Sequence, residues 1–146
     1  MASGVRITGG SLRGRKLVVS PGVRPTESRV REALASMWGP RLEGARVLDL
    51  YAGTGAVGLE CLSRGALEVT WVESAPRTAS ALQQSIRALR LGRQARLVRG
   101  AVPSVCRRVR GHFDLVFADP PYALEVFEPL LRAAATLLDP DGEIVL

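Results

Sequence analysis

The sequence is poor in cysteine and histidine, with two cysteines and one histidine among 146 residues. Cys61 and Cys106 are too few for a disulfide framework or a zinc cluster, and we expect each to be a small core or helix residue. His112 stands alone before an apolar run, so we expect neither a metal site nor imidazole catalysis. The chain also lacks an apolar segment after Met1 and any apolar run long enough to span a membrane. We therefore expect a soluble, cytoplasmic protein without a metal ion or a membrane partner.

Acidic residues are almost absent from the first 31 positions. Residues 1–31 contain seven basic residues and one acidic residue, Glu27, whereas the rest of the chain contains equal numbers of each sign. The whole formal charge of +6 is therefore in this segment. Its cations are arginines except for Lys16, and arginine suits fork-shaped phosphate contacts and stacking on bases. The charge predicts an arm that binds a polyanion; ordinary solvated surface charge is the alternative.

The first 40 residues are predicted to form a basic arm and a connecting helix. Residues 5–19 have the pattern of a short β-hairpin or an extended arm. A helix is predicted from a Thr26 N-cap to Trp38, with apolar positions at helical spacing: Val30, Ala33, Leu34, Met37 and Trp38. Arg29 and Arg31 lie off that stripe, so we expect both to face outward.

Residues 41–146 alternate between strand and helix patterns. Strands are expected near 46–51, 68–73, 95–99, 113–118 and 143–146, and helices near 55–64, 75–91, 103–109 and 124–138. Ser74 is the expected cap of the second of these helices. The alternation predicts a Rossmann-like, doubly wound, mainly parallel α/β sheet with ligands at the carboxyl ends of its strands. A topological switch between the first and fourth strands would place a cofactor beside a substrate.

A strand, a glycine-rich turn and a helix are predicted over Val47–Gly58. Gly53, Gly55 and Gly58 spell G-x-G-x-x-G, so a dinucleotide site must be considered. Asp49 argues against a pyrophosphate there and suits a ligand with an ammonium group, such as the methionine part of S-adenosylmethionine. Glu73 ends the second strand, where it would accept hydrogen bonds from ribose hydroxyls of either cofactor. A glycine turn that binds no ligand remains the alternative.

Asp119-Pro-Pro-Tyr122 follows the apolar run 113–118 and is predicted to lie at the tip of a buried strand. An exocyclic amine of a nucleobase is a poor nucleophile because its lone pair is delocalised into the ring. Asp119 and the Pro120 carbonyl could accept its N–H groups and localise that lone pair. Tyr122 could stack on a base drawn out of its surroundings. A strand-end turn with an exposed tyrosine is the alternative interpretation.

The chain resembles the RsmD-type 16S rRNA guanine-N2 methyltransferases over nearly its whole length. The resemblance rests on Arg6-Ile-Thr-Gly-Gly10, Arg13-Gly-Arg-Lys-Leu17, Arg24-Pro-Thr26, Val30-Arg-Glu-Ala-Leu34, Leu48-Asp-Leu-Tyr-Ala-Gly-Thr-Gly55, Leu62-Ser-Arg-Gly-Ala66 and Phe113-Asp-Leu-Val-Phe-Ala-Asp-Pro-Pro-Tyr122. It implies the class I S-adenosylmethionine-dependent fold and methylation of the N2 amine of a guanine in 16S rRNA. The substrate would be RNA within the assembled or assembling small ribosomal subunit, and we expect a monomer.

The resemblance also implies roles for particular residues. Asp119, Pro120 and Tyr122 would hold the base and its amine. The cofactor would be held by Asp49, Tyr51, Gly53, Thr54, Gly55 and Glu73, with backbone groups near Ala101 and Val102 on the adenine side, where family members usually carry an acid. The rRNA backbone would be gripped by Arg6, Arg13, Arg15, Lys16, Arg24 and Arg29.

Other functions remain open at the level of sequence. A DNA adenine-N6 or cytosine-N4 methyltransferase needs the same chemistry at the amine. A non-catalytic RNA-binding factor of ribosome assembly could keep the fold as a scaffold, and an NAD-dependent oxidoreductase fits the glycines alone. The chain stops inside the predicted fifth strand, so we expect further strands, or another covering, to complete the sheet.

Overall fold

The computed structural model of the protein describes residues 4–120 and 127–146. Within these ranges there are five strands: β1 (Arg46–Leu50), β2 (Glu68–Glu73), β3 (Ala95–Arg99), β4 (Phe113–Ala118) and β5 (Leu138–Val145). The same ranges contain four α-helices: α1 (Ser28–Trp38), α2 (Ala56–Ser63), α3 (Pro76–Ala88) and α4 (Phe127–Ala135). Short 3-10 turns lie at Gly39–Leu42, Gly92–Gln94 and Ser104–Arg108. No helix in the described ranges is both long and apolar enough to cross a membrane.

The five strands form one parallel sheet in the order β3-β2-β1-β4-β5. The chain moves outward from β1 to β3 and then returns to the other side of β1 with β4, which is the predicted switch. Val47, Leu48 and Leu50 of β1 are fully buried, as expected for a central strand covered on both faces. The carboxyl ends of β1 and β4 therefore lie side by side, as the sequence predicts.

Helices cover both faces of the sheet, which confirms the Rossmann-like, doubly wound fold. On one face, α1, α2 and α3 contribute to a core that contains Trp38, Leu59, Trp71 and Leu82. On the other face, α4 and the Ser104–Arg108 turn pack over a second core around Phe113 and Val116. Ile7, Leu17, Leu34 and Trp38 belong to the first core, so residues before and after position 40 share it.

Two elements differ from their predicted extents. Residues 103–109 form only a 3-10 turn, because Pro103 and Gly111 leave little length for a helix between them. β5 begins at Leu138 rather than near 143 and pairs with β4 across an irregularity between Phe113 and Leu115. The helix predicted over 124–138 ends at Ala135 as α4 because the chain enters β5 directly afterwards.

Both predicted helix caps are wrong. The N-caps are Glu27 for α1 and Ala75 for α3, and among the described residues neither makes a capping bond with its side chain. Thr26 is instead held by its carbonyl, which accepts from Arg31 Nε at 3.2 Å. At α3, Glu73 Oε2 accepts from the Ala75 N–H at 2.8 Å, so a carboxylate one position before Ser74 bonds the backbone there.

The buried face of α1 differs from the predicted stripe. Arg31, Leu34, Ala35 and Trp38 are its buried residues, whereas Val30 and Met37 are 41% and 56% exposed and Ala33 is exposed as well. Arg31, expected to face outward, is only 4% exposed because it forms a 2.9 Å ion pair with Glu60 of α2. The orientation of α1 therefore differs from the expected one because Arg31 pairs with Glu60, a distant residue that the periodicity of α1 cannot reveal.

The N-terminal segment forms a short hairpin over residues 5–17, hereafter the N-terminal hairpin. Arg6 and Lys16 form an antiparallel bridge, and the Leu17 N–H donates to Val5 O at 2.9 Å. Ile7 and Leu17 are buried against the body. The Leu12 N–H also donates to Ser63 Oγ at 2.8 Å. The segment is thus a docked hairpin rather than an extended arm.

Candidate functional site

A tight loop carries the chain from β1 into α2. Tyr51, Gly53 and Gly55 have φ angles of +56°, +59° and +79°, and such a value costs a non-glycine residue about 1–2 kcal/mol. A Cβ on Gly55 would collide with Leu82. Gly58 is equally constrained, since its Cβ would strike the Trp71 indole, so α2 lies close against β2. A Cβ on Gly53, by contrast, would have only Val23 Cγ1 within 4 Å, at 3.9 Å, which leaves space beside the backbone for a ligand.

Glu73 joins the ends of β1 and β2. Its Oε1 accepts from the Gly53 N–H at 2.8 Å and its Oε2 accepts from the Ala75 N–H at 2.8 Å. A carboxylate offers about four lone-pair positions, so it can still accept from hydroxyl groups. Glu73 is half-buried at the edge of the glycine loop. A contact between Glu73 and a ribose remains a prediction, and the position of the side chain permits it.

Asp49 lies beneath the glycine loop and is only 1% exposed. Its Oδ2 accepts from the Gly58 N–H at 3.2 Å, in the first turn of α2. Burial raises the pKa of this carboxyl well above its usual range; the Gly58 hydrogen bond opposes that rise, and the charges of Glu73 and Asp119 add to it. Three acidic side chains thus lie close enough to interact at the ends of neighbouring strands. A cationic ligand here would favour the ionised form of Asp49.

Residues after β3 lie beside this loop. The Gly100 N–H donates to Glu73 O at 3.1 Å, which joins the end of β3 to the end of β2. Ala101 is exposed, although its carbonyl accepts from the Val105 N–H at 2.9 Å. Val102 is half-buried. Backbone contacts of Ala101 and Val102 to an adenine ring stay a prediction.

Asp119 lies at the tip of β4, directly after the buried Phe117 and Ala118. Its side chain is exposed, and Pro120 is half-buried. Tyr122, predicted to stack on a base, lies outside the described residues. A cleft of about 440 Å³ opens at Asp119, and its lining comes from the loop before α1, from α1 and from the ends of β4 and β5: Arg24, Pro25, Thr26, Glu27, Arg29, Val30, Phe117, Asp119 and Leu146.

The six predicted RNA-binding cations are all exposed, but they do not form one patch. Arg24 and Arg29 line the Asp119 cleft. Arg6 and Arg13 line a separate cleft of about 590 Å³ that shares residues 25–27 with the first. Arg15 donates from Nη2 to Ala88 O at 3.3 Å near the end of α3, and Lys16 lies beside it on the hairpin. The structure therefore brings two of the six together with Asp119.

The cysteines and the histidine have no part in the proposed chemistry. Cys61 and Cys106 are buried within the two cores, and His112 is exposed just before β4. Within residues 4–120 and 127–146, no group of three histidine, cysteine or acidic side chains is arranged to hold a metal ion.

Sequence reasoning missed a buried polar cluster of Arg31, Glu60 and Arg64, hereafter the Arg31 cluster. Glu60 bonds both arginines, at 2.9 Å and 3.1 Å. A sequence signal for it was present, because the segment of α2 is apolar apart from Glu60 and Ser63, and a carboxylate in such a helix needs a cationic partner. The spacing from Arg31 to Leu34, Ala35 and Trp38 also fits one helix face.

Comparison with known proteins gives a consistent family assignment. A family model described as Conserved hypothetical protein 95 matches residues 5–146. Ribosomal RNA small subunit methyltransferase D of Escherichia coli is 39% identical to the chain over 140 residues, which are 94% of this chain and 68% of that protein.

Solved structures agree with the fold. A hypothetical protein of Thermus thermophilus is 36% identical, with a TM-score of 0.81 over 96% of this chain and 83% of that one. A methyltransferase of Podospora anserina bound to S-adenosylhomocysteine is 18% identical, with a TM-score of 0.71 over 82% of this chain and 52% of that one. The second likeness shows the fold alone, that of the class I methyltransferases.

Proposed function

The chain belongs to the family described as Conserved hypothetical protein 95, and from that membership and the site geometry we propose an S-adenosylmethionine-dependent rRNA methyltransferase. The methyl group goes to the exocyclic N2 amine of a guanine in 16S rRNA. The substrate is the assembled or assembling small ribosomal subunit, and the protein acts as a monomer. The name of the Escherichia coli relative supports the RNA class, and the residues around Asp119 support the amine chemistry.

One observation carries the proposal: Arg24, Arg29 and Asp119 line the same cleft although about 90 residues separate them in sequence. An RNA-modifying site needs cations for the phosphates and a hydrogen-bond acceptor for the base. The cleft offers both, at the carboxyl ends of β4 and β5 beside α1. Asp119 is exposed and can reach a ligand.

The residues of the glycine loop fit S-adenosylmethionine. The open space beside Gly53 admits a ligand at the backbone, and the buried Asp49 lies under the loop where an ammonium group favours its ionised form. We assign Glu73 to the ribose hydroxyls and the backbone of Ala101 and Val102 to the adenine ring. Tyr51 and Thr54 complete the loop. The bound cofactor supplies an electrophilic methyl group on its sulfonium.

The protein's own residues prepare the amine. Asp119 accepts one N–H of the exocyclic amine and the Pro120 carbonyl accepts the other, which holds the nitrogen lone pair toward the glycine loop. The positive charge that develops on nitrogen is stabilised by the Asp119 carboxylate. Asp119 then passes the amine proton to water, which its exposure permits. Arg24 and Arg29 contribute by fixing the flanking phosphates, so that the amine stays in line for transfer.

The role of Asp119 is tested by Asp119→Asn in a transfer assay with unmethylated small subunits. Loss of the carboxylate should lower kcat by about 10²–10³-fold, while affinity for S-adenosylhomocysteine by calorimetry stays near that of wild type. Asp114→Asn, at the opposite end of β4, is the matched control and should keep full activity. Full activity of Asp119→Asn would remove Asp119 from the mechanism.

The substrate class is tested with labelled S-adenosylmethionine and three acceptors: unmethylated small subunits, naked 16S rRNA and duplex DNA. We expect label in the subunits or the rRNA, and the better acceptor identifies the assembly stage. Label in DNA would support a DNA amino-methyltransferase instead. Absence of transfer to all three, with S-adenosylhomocysteine bound, would support the non-catalytic assembly factor.

A further inference from the structure

The Arg31 cluster is a buried charge network between α1 and α2. The side chains of Arg31 and Glu60 are 4% and 3% exposed, and Arg31 Nη1 lies 2.9 Å from Glu60 Oε1. Arg64, which directly follows the helix that carries Glu60, donates from Nε to Glu60 Oε2 at 3.1 Å. Both carboxylate oxygens therefore have a cationic partner. A network this deep is fixed in geometry, because moving either partner would leave a charge buried alone.

The Arg31 cluster also holds two segments outside the helices. Arg31 Nη1 donates to Arg6 O at 2.7 Å, and Arg31 Nε donates to Thr26 O at 3.2 Å. Glu60 Oε1 accepts from the Thr8 N–H at 2.6 Å, and Arg64 Nη2 donates to Thr8 Oγ1 at 3.0 Å. Four hydrogen bonds thus tie the N-terminal hairpin and the loop before α1 to the cluster.

These segments and the first turn of α1 carry the groups assigned to RNA, and α2 follows the groups assigned to the cofactor. Arg24 lies in the loop two residues before Thr26, Arg29 lies in the first turn of α1, and both line the Asp119 cleft. The helix that holds Glu60 starts directly after the glycine loop, with Gly55 as its N-cap. The Arg31 cluster therefore connects the segments of the phosphate-binding side chains with the helix that follows the glycine loop, in addition to the bonds between the hairpin and Ser63 of α2.

Stability alone does not account for this arrangement. A buried ion pair loses hydration, and well-packed apolar side chains of similar volume often serve a fold equally well or better. Apolar side chains cannot bond Arg6 O, Thr26 O and the Thr8 N–H at once. What the charged pair provides beyond an apolar core is this fixed attachment of the hairpin and the loop.

We propose that Arg31 and Glu60 are positioning residues, which set the RNA-binding segments in register with Asp119 and the cofactor loop. This inference rests on the proposed function. A cluster with this role affects productive binding of the large RNA substrate and leaves the cofactor site intact. A purely structural cluster would affect stability, cofactor affinity and turnover together.

The test compares the double variant Arg31→Met/Glu60→Met with wild type. Removing both charges together leaves no unpaired charge among the fully buried groups, and Arg64, whose side chain is 28% exposed, can turn to solvent. The unfolding midpoint should fall because the Thr8 N–H and Arg6 O lose their partners, whereas the affinity for S-adenosylhomocysteine should stay near that of wild type. The kcat/KM for unmethylated small subunits should fall by about ten- to a hundred-fold, because misplaced substrate groups lose rate steeply. Amide hydrogen exchange in the N-terminal hairpin and in residues 22–28 should accelerate, while exchange in β1 should not change.

The control is Arg132→Met/Glu128→Met, the same double substitution at an exposed 2.7 Å ion pair on α4, which should leave every measured quantity unchanged.

A stable Arg31→Met/Glu60→Met protein with wild-type kcat/KM and wild-type hydrogen exchange would overturn the inference. Should that variant fail to fold, Arg31→Lys keeps the charge but not the guanidinium fork. Unchanged kcat/KM in Arg31→Lys would overturn the inference equally. Absence of transfer by wild type would refute the proposed function, whereas the exchange data would still test the attachment.

Discussion

Two aspartates at the ends of neighbouring strands lie in opposite environments. Asp49 is 1% exposed and bonded to α2, whereas Asp119 is open to the cleft. Burial raises the pKa of Asp49 well above its usual range, with smaller contributions from Glu73 and Asp119. The contrast is consistent with the different tasks proposed for two identical side chains. In the proposed function Asp119 meets the substrate, and Asp49 lies under the loop proposed to bind the cofactor.

The raised pKa of Asp49 predicts a pH-dependent stability. Because folding raises this pKa above its ordinary value of 3.8, the folded protein keeps a proton that the unfolded chain releases above that pH. The stability that Asp49 contributes is therefore present at low pH and lost as pH rises through the folded pKa. Asp49→Asn cannot titrate and can still accept from Gly58. We expect its free energy of unfolding, relative to wild type, to rise as the pH increases above 3.8, the ordinary pKa of the group, and to level off above the raised pKa of the folded protein.

Urea unfolding at several pH values measures this difference. Asp141→Asn, an exposed position in β5, is the control and should run parallel to wild type. Parallel curves for Asp49→Asn as well would show that Asp49 does not titrate in this range.

At the scale of elements, the contact between α2 and β2 fixes the site. The Gly58 N–H bonds Asp49, and a Cβ on Gly58 would meet the Trp71 indole and Val69 Cγ1. Trp71 in turn donates from Nε1 to Gly55 O at 3.1 Å, in the glycine loop itself. The loop, the helix and the strand are therefore held to one another by direct contacts.

Gly58→Ala should destabilise the protein by about 1–3 kcal/mol, because the added methyl overpacks a closed contact. The same displacement should weaken binding of S-adenosylhomocysteine. Chemical denaturation and calorimetry measure the two effects. Gly4 is exposed, and a Cβ there would lie 3.9 Å from Lys16 Cδ, which is an ordinary contact. Gly4→Ala is therefore the matched control and should change neither the stability nor the binding of S-adenosylhomocysteine. Wild-type stability of Gly58→Ala would contradict the tight packing of α2 on β2.

Local sequence patterns predicted the sheet better than the first helix. The apolar runs of β1, β2 and β4 and the glycine loop are signals within a few residues, and all four elements lie where expected. The orientation of α1 depends on Glu60, 29 residues beyond Arg31, so its own periodicity could not settle it. The start of β5 depends on an irregular pairing with β4, which is also a non-local contact.

At the scale of the whole molecule, the excess positive charge of residues 1–31 is distributed over a segment that packs against the body of the protein. Sequence predicted that residues 1–31 carry this charge, but not how folding divides it. Arg24 and Arg29 line the Asp119 cleft, whereas Arg6 and Arg13 line the second cleft, which shares residues 25–27 with it. That division could not be predicted because it depends on how the N-terminal hairpin packs on the body.

The cleft cations predict the salt dependence of RNA binding. Each phosphate contact to a single strand contributes about 0.7 to the slope of log affinity against log salt concentration. Arg24→Gln/Arg29→Gln should therefore weaken RNA binding and flatten that slope by about 1.4 if each arginine meets one phosphate. Filter binding at several salt concentrations measures the slope. Arg110→Gln, an exposed arginine before β4, should leave it unchanged. A wild-type slope in the double variant would show that neither arginine contacts phosphate.

The central claim is that the Asp119 cleft presents a guanine amine to the methyl donor. The most direct measurement is nucleoside mass spectrometry of small-subunit rRNA, taken from unmethylated subunits after reaction with the protein and labelled S-adenosylmethionine. We predict that the label is found in N2-methylguanosine and is lost with Asp119→Asn. Label in N6-methyladenosine, in N4-methylcytidine or on a ring carbon would contradict the account.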